Sequence, residues 1–219
     1  MTNNVVVQIP CLNEESTIGD VVRGFKKKLP KAKVIVYDNN STDNSVKLAK
    51  KYGAEVFLVS KQGKGNVVRR MFEENINANF FIMIDADNTY DIANIKDILK
   101  KMQDENFDMM VAKRIHSDSS AYRTGHVFGN YFFSKFVNLI FGNDITDIFS
   151  GFRIFSKIFI KTFPQNSTEF EIEAELTIHA LEQKNRIGEF DCIYKARPSG
   201  SLSKLNTYKD GLKILKLIL

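Results

Sequence analysis

The segment at residues 80–91 reads Phe-Phe-Ile-Met-Ile-Asp-Ala-Asp-Asn-Thr-Tyr-Asp. Its five leading apolar residues predict a short strand buried on both faces, as in a parallel sheet covered by helices. The apolar run stops at two carboxylates, Asp85 and Asp87. Open α/β sheets bind ligands outside the carboxyl ends of their strands, where hard divalent cations take carboxylate oxygens together with substrate phosphates. The segment therefore predicts either a metal and phosphate site or a solvated turn in which Asp87 or Asn88 caps the next helix.

Apolar runs alternate with helical patterns along the first half of the chain. Strands are predicted at 5–9, 34–37, 55–59, 80–84 and 107–112, and helices at about 17–29, 43–52, 66–77 and 91–103. Such alternation with short loops is typical of parallel strands joined by right-handed crossover connections. We therefore expect an α/β fold with a mostly parallel central sheet flanked by helices.

The whole chain has 219 residues, of which 43% are apolar and 26% charged, with a formal net charge of +5. This balance is typical of one globular α/β domain or at most two small ones. The mild positive charge favours an anionic substrate or surface, and no recognised nucleic-acid-binding motif is present. Cys11 and Cys192 follow no metal-ligand spacing, so we interpret them as buried thiols of a reduced, cytoplasmic protein. We expect no signal peptide, and no stretch approaches the roughly 20 apolar residues of a membrane span.

Polar groups also follow two other predicted strands. Asp38 ends the second strand, where it would accept hydrogen bonds from a nucleobase or ribose, or close an Asx-turn, which is the commoner arrangement. Gly63-Lys64-Gly65 follows the third strand and would bring backbone amides and one ammonium to a phosphate, or form a flexible turn. The motif alone favours the turn, because the spacings of the Walker A and dinucleotide-binding motifs are both missing.

A helix predicted at 127–141 carries an aromatic stripe. Its apolar side holds Phe132, Phe133, Phe136, Val137 and Ile140, and its polar side holds Asn130, Ser134, Lys135 and Asn138. A core helix is the usual interpretation of such a stripe. The alternative is a helix lying at a membrane interface with its aromatic face down.

A second charged feature is the helix predicted at 170–184. It carries Glu171, Glu173 and Glu175, of which the first and last share a face. We expect a solvated acidic face there.

Two short segments complete the candidates. Gly151 predicts a tight turn or a close backbone approach, and the neighbouring Arg153 is expected to pair with a carboxylate or a phosphate. Residues 197–204 are basic and rich in hydroxyl groups, which suits a loop that folds over an anionic ligand. A plain surface loop is an equally common outcome.

Six of these segments, standing in order within residues 4–207, resemble glycosyltransferase family 2. The similarity is greatest to its polyprenyl-phosphate branch, which includes the dolichol-phosphate mannose and glucose synthases and their bacterial undecaprenyl-phosphate relatives. The matching segments are Ile9-Pro10-Cys11-Leu12-Asn13-Glu14-Glu15, Tyr37-Asp38-Asn39-Asn40-Ser41-Thr42-Asp43, Gly63-Lys64-Gly65, Asp85-Ala86-Asp87, Asp147 with Ser150-Gly151-Phe152-Arg153, and Arg197 through Lys204.

The resemblance implies a GT-A fold, a Rossmann-like α/β architecture, for a catalytic domain at residues 1–207. Its nucleotide-sugar half would span about 1–113 and its acceptor half about 114–207. Residues 208–219 would form an amphipathic juxtamembrane tail, either an interfacial helix or the first turns of a transmembrane segment.

The resemblance also implies roles for individual residues. Asp85 and Asp87 would hold the nucleotide diphosphate through Mg²⁺ or Mn²⁺. The residues assigned to the donor are Pro10, Asn13, Glu14, Asp38, Gly63, Lys64, Asp85, Arg153, Arg197, Ser203 and Lys204. Those assigned to the reaction are Asp87, Asp147, Arg114 and Arg123, and the two arginines would face the acceptor phosphate or the donor diphosphate.

The function implied is metal-dependent, inverting transfer of a hexose from a nucleotide sugar to an undecaprenyl or dolichyl phosphate at the cytoplasmic membrane surface. The mannose synthases usually carry a glutamine where this chain has Thr89, so UDP-sugars are favoured over GDP-mannose. Two alternatives stay open. The acceptor would be a sugar hydroxyl of a growing glycan with Asp147 as general base, or the chain would be a non-catalytic nucleotide-binding or membrane-scaffold module.

Overall fold

The structure is a computed structural model that describes residues 4–74, 76–116, 124–164 and 166–197. Its strands are β1 (Val5–Cys11), β2 (Lys33–Asp38), β3 (Glu55–Leu58), β4 (Phe80–Met83), β5 (Met109–His116), β6 (Arg153–Ser156) and β7 (Ile187–Tyr194). Its helices are α1 (Ile18–Lys28), α2 (Ser45–Lys51), α3 (Lys64–Glu73), α4 (Ile95–Asp104), α5 (Thr124–Phe141), α6 (Lys157–Thr162) and α7 (Ile172–Glu182). Within these ranges every helix is too short or too polar to cross a bilayer.

The strands of the described residues form one sheet in the order β3-β2-β1-β4-β6-β5-β7. Parallel pairs join β1 to β2 and β4, β2 to β3, and β5 to β7, whereas β6 runs antiparallel to both neighbours. The expected α/β fold with a mostly parallel sheet is therefore confirmed. Because β2 and β3 extend the sheet on one side of β1 and β4 lies on the other, strand order reverses between β1 and β4. Open α/β sheets form their ligand crevice at such a reversal.

Helices cover both faces of the sheet. On one face α1, α2 and α4 pack on alternate strand residues, such as Val7 and Ile9 of β1. On the other face α3, α6 and α7 pack on the intervening residues, such as Val6. Gln8 reaches α3 as well, where its side-chain amide donates to the carbonyl of Met71 at 2.9 Å. Strands buried on both faces have this near-continuous apolar character.

The sequence pattern missed β6 and α6. β6 has only four residues, too few to show a period, and it passes directly into α6. At that junction the Ser156 side chain accepts a hydrogen bond from Phe159 N and caps the helix.

α4 begins later than expected, at Ile95, so the interpretation of Asp87 or Asn88 as its cap is wrong. The backbone after β4 pairs with the end of β7 instead. There Lys195 N donates to Thr89 O at 2.8 Å. This pairing holds the chain in an extended path beyond the two aspartates before the helix can start.

Candidate active site

Four carboxylates lie at one edge of the sheet. Glu14 is in the loop after β1, Asp38 is the last residue of β2, and Asp85 and Asp87 follow β4. Because β1 is parallel to both β2 and β4, the carboxyl ends of these strands reach the same edge. The acids therefore surround the reversal point between β1 and β4.

Asp38 has one carboxylate oxygen bonded to its own loop and one without a described partner. Its Oδ2 accepts a hydrogen bond at 3.1 Å from the backbone N of Ser41, three residues on, which fixes the loop after β2. An Asx-turn would bond two residues on. The Oδ1 of Asp38 is buried and has no hydrogen-bond partner among the described residues. A buried acceptor without a partner costs about 1–3 kcal/mol, so a ligand donor at this oxygen would be stabilising.

The loop after β1 is tied to the loop after β2. Asn13 has a φ of 52°, its Oδ1 accepts from Thr42 N at 2.7 Å, and its own N–H donates to Ser41 Oγ at 2.9 Å. Glu14 is buried, and its N–H donates to Ser45 Oγ at 2.8 Å. Pro10, within β1, is half-buried. These bonds fix the loop that presents Glu14 to the crevice.

Asp85 lies tightly against a backbone turn. Its Oδ1 accepts from Lys64 Nζ at 2.6 Å. A Cβ on Gly151 would come within 2.2 Å of its Oδ2, so the predicted close backbone approach at Gly151 is confirmed. Tyr90 also holds this turn in place, because its hydroxyl accepts a hydrogen bond from Gly151 N at 2.9 Å.

Asp87 is held by two groups. Its Oδ1 accepts from the hydroxyl of Thr89 at 2.6 Å, and its Oδ2 lies 2.7 Å from the guanidinium of Arg197. Burial, followed by the charge of Asp85, raises the pKa of Asp87. Burial is also the largest influence on Asp85, but Lys64 outweighs it and lowers the pKa of Asp85. The two neighbouring acids are thus held in different electrostatic environments.

Lys64 opens α3 between two glycines that sit against the backbone of residues 167–168. A Cβ on Gly63 would lie 2.2 Å from Thr168 O, and one on Gly65 would lie 2.4 Å from Ser167 O. Gly63 also has a φ of 117°, which favours glycine. The glycines are therefore required by close packing, and the expectation of a flexible turn is wrong.

Glu173 is the site residue that the sequence interpretation missed. Its Oε1 lies 2.5 Å from Lys64 Nζ. Glu171 and Glu175 are buried too and accept hydrogen bonds from backbone amides of 166–169, so the expected solvated acidic face is wrong. The available signal was that apolar residues occupy alternate positions of α7, from Ile172 to Ala180, and so lie on opposite sides of the helix, which favours burial on more than one side.

Arg114 and Asp147 form a bidentate pair at the far side of the crevice. Arg114 Nε and Nη2 donate to the two carboxylate oxygens at 2.7 and 2.8 Å, and Arg114 N donates to Oδ2 at 3.2 Å. Asp147 is buried. Both of its oxygens are thus engaged by one guanidinium, which disfavours Asp147 as a general base.

Arg153 stabilises the fold, and its assignment to the nucleotide-sugar donor is wrong. Its side chain is fully buried, and its guanidinium donates to Ser150 O, Ile148 O and Thr177 Oγ1 at 2.9, 2.7 and 2.9 Å. The expected carboxylate or phosphate partner is replaced by these protein oxygens. Arg153 therefore fixes the turn that carries Gly151 to Asp85.

The model of the family Glycosyl transferase family 2 matches residues 6–163 of this chain. The chain belongs to glycosyl transferase family 2. It is accordingly a glycosyltransferase that acts on nucleotide sugars.

Curated relatives agree with this assignment. Glycosyltransferase AglJ of Haloferax volcanii is 31% identical over 209 residues, which cover 94% of this chain and 68% of AglJ. Protein RfbJ of Shigella flexneri is 40% identical over 124 residues, which cover 56% of this chain and 95% of RfbJ. The low-salt glycan biosynthesis hexosyltransferase Agl6 of H. volcanii is 28% identical, and the match covers 97% of this chain and 52% of Agl6.

Solved structures confirm the GT-A fold. Glucosyl-3-phosphoglycerate synthase from Mycobacterium tuberculosis, in complex with phosphoglyceric acid, superposes with a TM-score of 0.79 at 18% identity, over 99% of this chain and 79% of that chain. The same enzyme with Mn²⁺, UDP and glucosyl-3-phosphoglycerate gives a TM-score of 0.76 at 17% identity. This match covers 97% of this chain and 77% of that chain. At such identities the likeness establishes the fold.

The donor atoms at Asp85 and Asp87 fit Mg²⁺ or Mn²⁺. Carboxylates outnumber cations in the ion pairs that the described residues form in the crevice. Lys64 and Arg197 pair there with Glu14, Asp85, Asp87 and Glu173. The described residues contain no group of three or more metal-ligating side chains. Phosphate or water oxygens would complete the coordination, as is usual for Mg²⁺.

α5 packs against the loop at residues 145–146 through its polar side. Asn130, Ser134 and Asn138 donate from their side chains to the carbonyls of residues 145–146 at 3.3, 3.2 and 2.8 Å. Val137 is buried. The outward residues are Tyr131, Phe132, Leu139 and Ile140, which are 62%, 53%, 82% and 47% exposed. The core interpretation of this helix is therefore confirmed for Val137, Phe133 and Phe136, which pack in one apolar cluster, and wrong for Phe132 and Ile140.

Three residues assigned from the resemblance, Arg123, Ser203 and Lys204, lie outside the described residues. The predicted tail at 208–219 does so too. Arg197 is the last described residue, and it lies between Asp87 and Glu14.

Proposed function

We propose that this glycosyltransferase moves a hexose from a UDP-sugar to undecaprenyl or dolichyl phosphate at the cytoplasmic membrane surface, with inversion at the anomeric carbon. The observation that carries the proposal is the exposed apolar face of α5 beside the acid crevice. α5 is fastened to Thr146 O, one residue before Asp147, the partner of Arg114. An apolar surface and a cation suited to a lipid phosphate are thus joined through one short loop.

The donor would lie across Asp38 and the two aspartates after β4. The partnerless Oδ1 of Asp38 would accept from a hydroxyl or N–H of the nucleoside. A divalent cation at Asp85 and Asp87 would act as a Lewis acid toward the diphosphate leaving group. Arg197, now on Asp87, would add positive charge where the leaving group becomes more negative. The Mn²⁺–UDP complex of the M. tuberculosis synthase supports UDP as the nucleotide.

A lipid phosphate suits the acceptor side. A phosphate monoester has a second pKa of about 6, so it is already largely a dianion at neutral pH and needs positioning more than deprotonation. The bidentate pair of Arg114 with Asp147 supports this acceptor, since it engages both oxygens of the carboxylate that a hydroxyl acceptor would need as its base. Arg114 also lies over the ring of Tyr194, 5.5 Å from its centroid.

The test is transfer of labelled sugar from UDP- and GDP-sugars, with Mn²⁺, to undecaprenyl phosphate in vesicles. We expect a lipid-linked product from a UDP-sugar, recovered in the organic phase. Absence of lipid product with every common donor would overturn the proposal. Transfer only to a glycan would favour the sugar-hydroxyl alternative, and metal-dependent nucleotide binding without turnover would favour the non-catalytic module.

A further inference from the structure

Lys64 has two carboxylate partners, although one would neutralise it. Its Nζ lies 2.6 Å from Asp85 Oδ1 and 2.5 Å from Glu173 Oε1, and the side chains of Lys64 and Glu173 are 12% and 6% exposed. Phe170 shields the group, with its ring centroid 5.9 Å from Nζ. Placing a second acid in such an enclosed position is expensive, because each buried ion loses its hydration.

Asp85 faces two competing cations when a metal binds. A divalent ion on this carboxylate would stand within a few ångströms of the ammonium, and like charges at that distance repel strongly in a poorly solvated site. If Asp85 were the only partner of Lys64, metal binding would leave a buried ammonium unpaired, which is strongly unfavourable. Glu173 removes this penalty, because Lys64 keeps a carboxylate at contact distance.

The backbone around Lys64 and Glu173 is held in place, so a change of partner by Lys64 from Asp85 to Glu173 is confined to side chains. Gly63 and Gly65 are packed against residues 167–168, and Glu173 projects from α7, which Glu175 ties to the same loop through Ser167 N at 2.7 Å. Lys64 and Glu173 are thus carried by elements that are braced against each other. Lys64 Nζ already contacts Glu173 Oε1, so loss of its contact with Asp85 would require no backbone movement.

We infer that Glu173 is a positioning residue that retains Lys64 when a divalent cation takes Asp85. The ammonium then stays in the crevice beside the donor diphosphate. This inference rests on the proposed metal-dependent function. It adds Glu173, a residue on α7 whose pairing with Lys64 makes Asp85 available to the metal ion.

The experiment measures the dissociation constant for Mn²⁺, from the electron paramagnetic resonance signal of the free ion, without nucleotide and with UDP. The proteins are the unmodified chain, Glu173→Gln, Lys64→Met and the double variant. We expect Glu173→Gln to weaken Mn²⁺ binding about tenfold or more, as is typical of residues that support metal ligands. In the Lys64→Met background the same change should alter the constant less than about twofold, because no ammonium then needs a partner.

Two further variants separate contact from charge. Glu182→Gln removes the same charge from an exposed position at the end of α7 and should leave Mn²⁺ affinity unchanged. Glu173→Asp keeps the charge but shortens the side chain, so it should weaken Mn²⁺ binding if the contact with Lys64 matters. This variant also decides the question if Lys64→Met, which leaves Asp85 and the buried Glu173 without their shared cation, does not fold.

Equal effects of Glu173→Gln in both Lys64 backgrounds, or full affinity in Glu173→Asp, would overturn the inference. Normal Mn²⁺ binding by Glu173→Gln would overturn it while leaving the proposed function intact. Absence of Mn²⁺ binding by the unmodified chain, even with UDP, would overturn both.

Discussion

Gly151 positions Asp85 by having no side chain. A Cβ there would lie 2.2 Å from Asp85 Oδ2, so Gly151→Ala must displace the carboxylate or the turn. We expect at least about a tenfold loss of Mn²⁺ affinity and of kcat/KM, since misplacing a reacting group by about 1 Å can cost about a hundredfold. Calorimetric titration with MnCl₂ and steady-state sugar transfer measure the two quantities.

Gly129→Ala is the matched control for this substitution. A Cβ at Gly129, in α5, would meet nothing within 4 Å, and alanine is the better helix former by about 0.5–1 kcal/mol. It should keep full Mn²⁺ affinity. Unchanged affinity in both alanine variants would show that the close approach at Gly151 does not govern Asp85.

Thr89 shows how a single side chain can depart from a family pattern. It is fully buried, and its hydroxyl donates to Asp87. A glutamine, which the mannose synthases usually carry there, would have to displace the neighbours that enclose Thr89. The presence of threonine in place of glutamine therefore gives Asp87 a short hydrogen bond from the Thr89 hydroxyl.

At the scale of the element, α5 is held by hydrogen bonds and by the apolar cluster around Val137. Its outward apolar residues are Tyr131, Phe132, Leu139 and Ile140. Phe132→Asp combined with Leu139→Asp replaces two exposed side chains, so the free energy of unfolding should change by no more than about 0.5 kcal/mol per site. Binding to vesicles should fall at least about tenfold, because the substitutions remove apolar area that would enter the interface. Vesicle sedimentation measures the binding.

Leu58→Asp provides the control for α5. Leu58 is 72% exposed but lies on β3, at the opposite edge of the sheet from β7. This variant should sediment with vesicles like the unmodified chain. If the α5 double variant did so as well, the membrane role of this helix would be refuted.

His179 on α7 makes stability depend on pH. The ring packs edge-on against Phe159 and Phe163, and burial lowers the pKa of His179 below its ordinary value near 6.5. The unfolded chain therefore binds this proton more readily than the folded chain. The stability that the neutral ring contributes is present above about pH 6.5 and is lost as pH falls through the lower pKa of the folded state.

His179→Phe removes this titration. Calorimetric Tm values between pH 7 and pH 5 should fall less steeply in the variant than in the unmodified chain, with the two curves diverging only below about pH 6.5. Parallel curves across this range would show that His179 titrates alike in the folded and unfolded states.

At the scale of the whole molecule, nucleotide binding should raise the melting temperature by mass action. A ligand at a hundred times its Kd adds about 2.7 kcal/mol, and 1 kcal/mol shifts Tm by about 2–4 °C in a chain of this size. UDP with Mn²⁺ should thus raise Tm by about 5–10 °C, and UDP alone by less. A screen of UDP and GDP with and without Mn²⁺ measures this, and an equal shift from GDP would contradict the proposed preference for UDP.

The parts of the fold that could be predicted are those that local patterns specify. Apolar runs indicated the strands, and acids at their ends indicated the crevice, because both signals lie within a few neighbouring residues. The pairing of Lys64 with Glu173 joins positions far apart in the chain, so no spacing rule reveals it. The burial of Arg153 escaped prediction for a different reason. Two of its partners, Ser150 O and Ile148 O, are backbone carbonyls, which every residue type offers, and the third is Thr177 on α7.

The antiparallel direction of β6 has a consequence for how this enzyme can diversify. In a wholly parallel sheet, only segments that follow a strand reach the ligand-binding edge. β6 is reversed, so the segment that precedes it, with Asp147 and Gly151, arrives there as well. Insertions and exchanges between α5 and β6 that keep Gly151 can therefore reshape this edge while the crossover helices that flank β1, β2 and β4, and the stability they provide, stay unchanged.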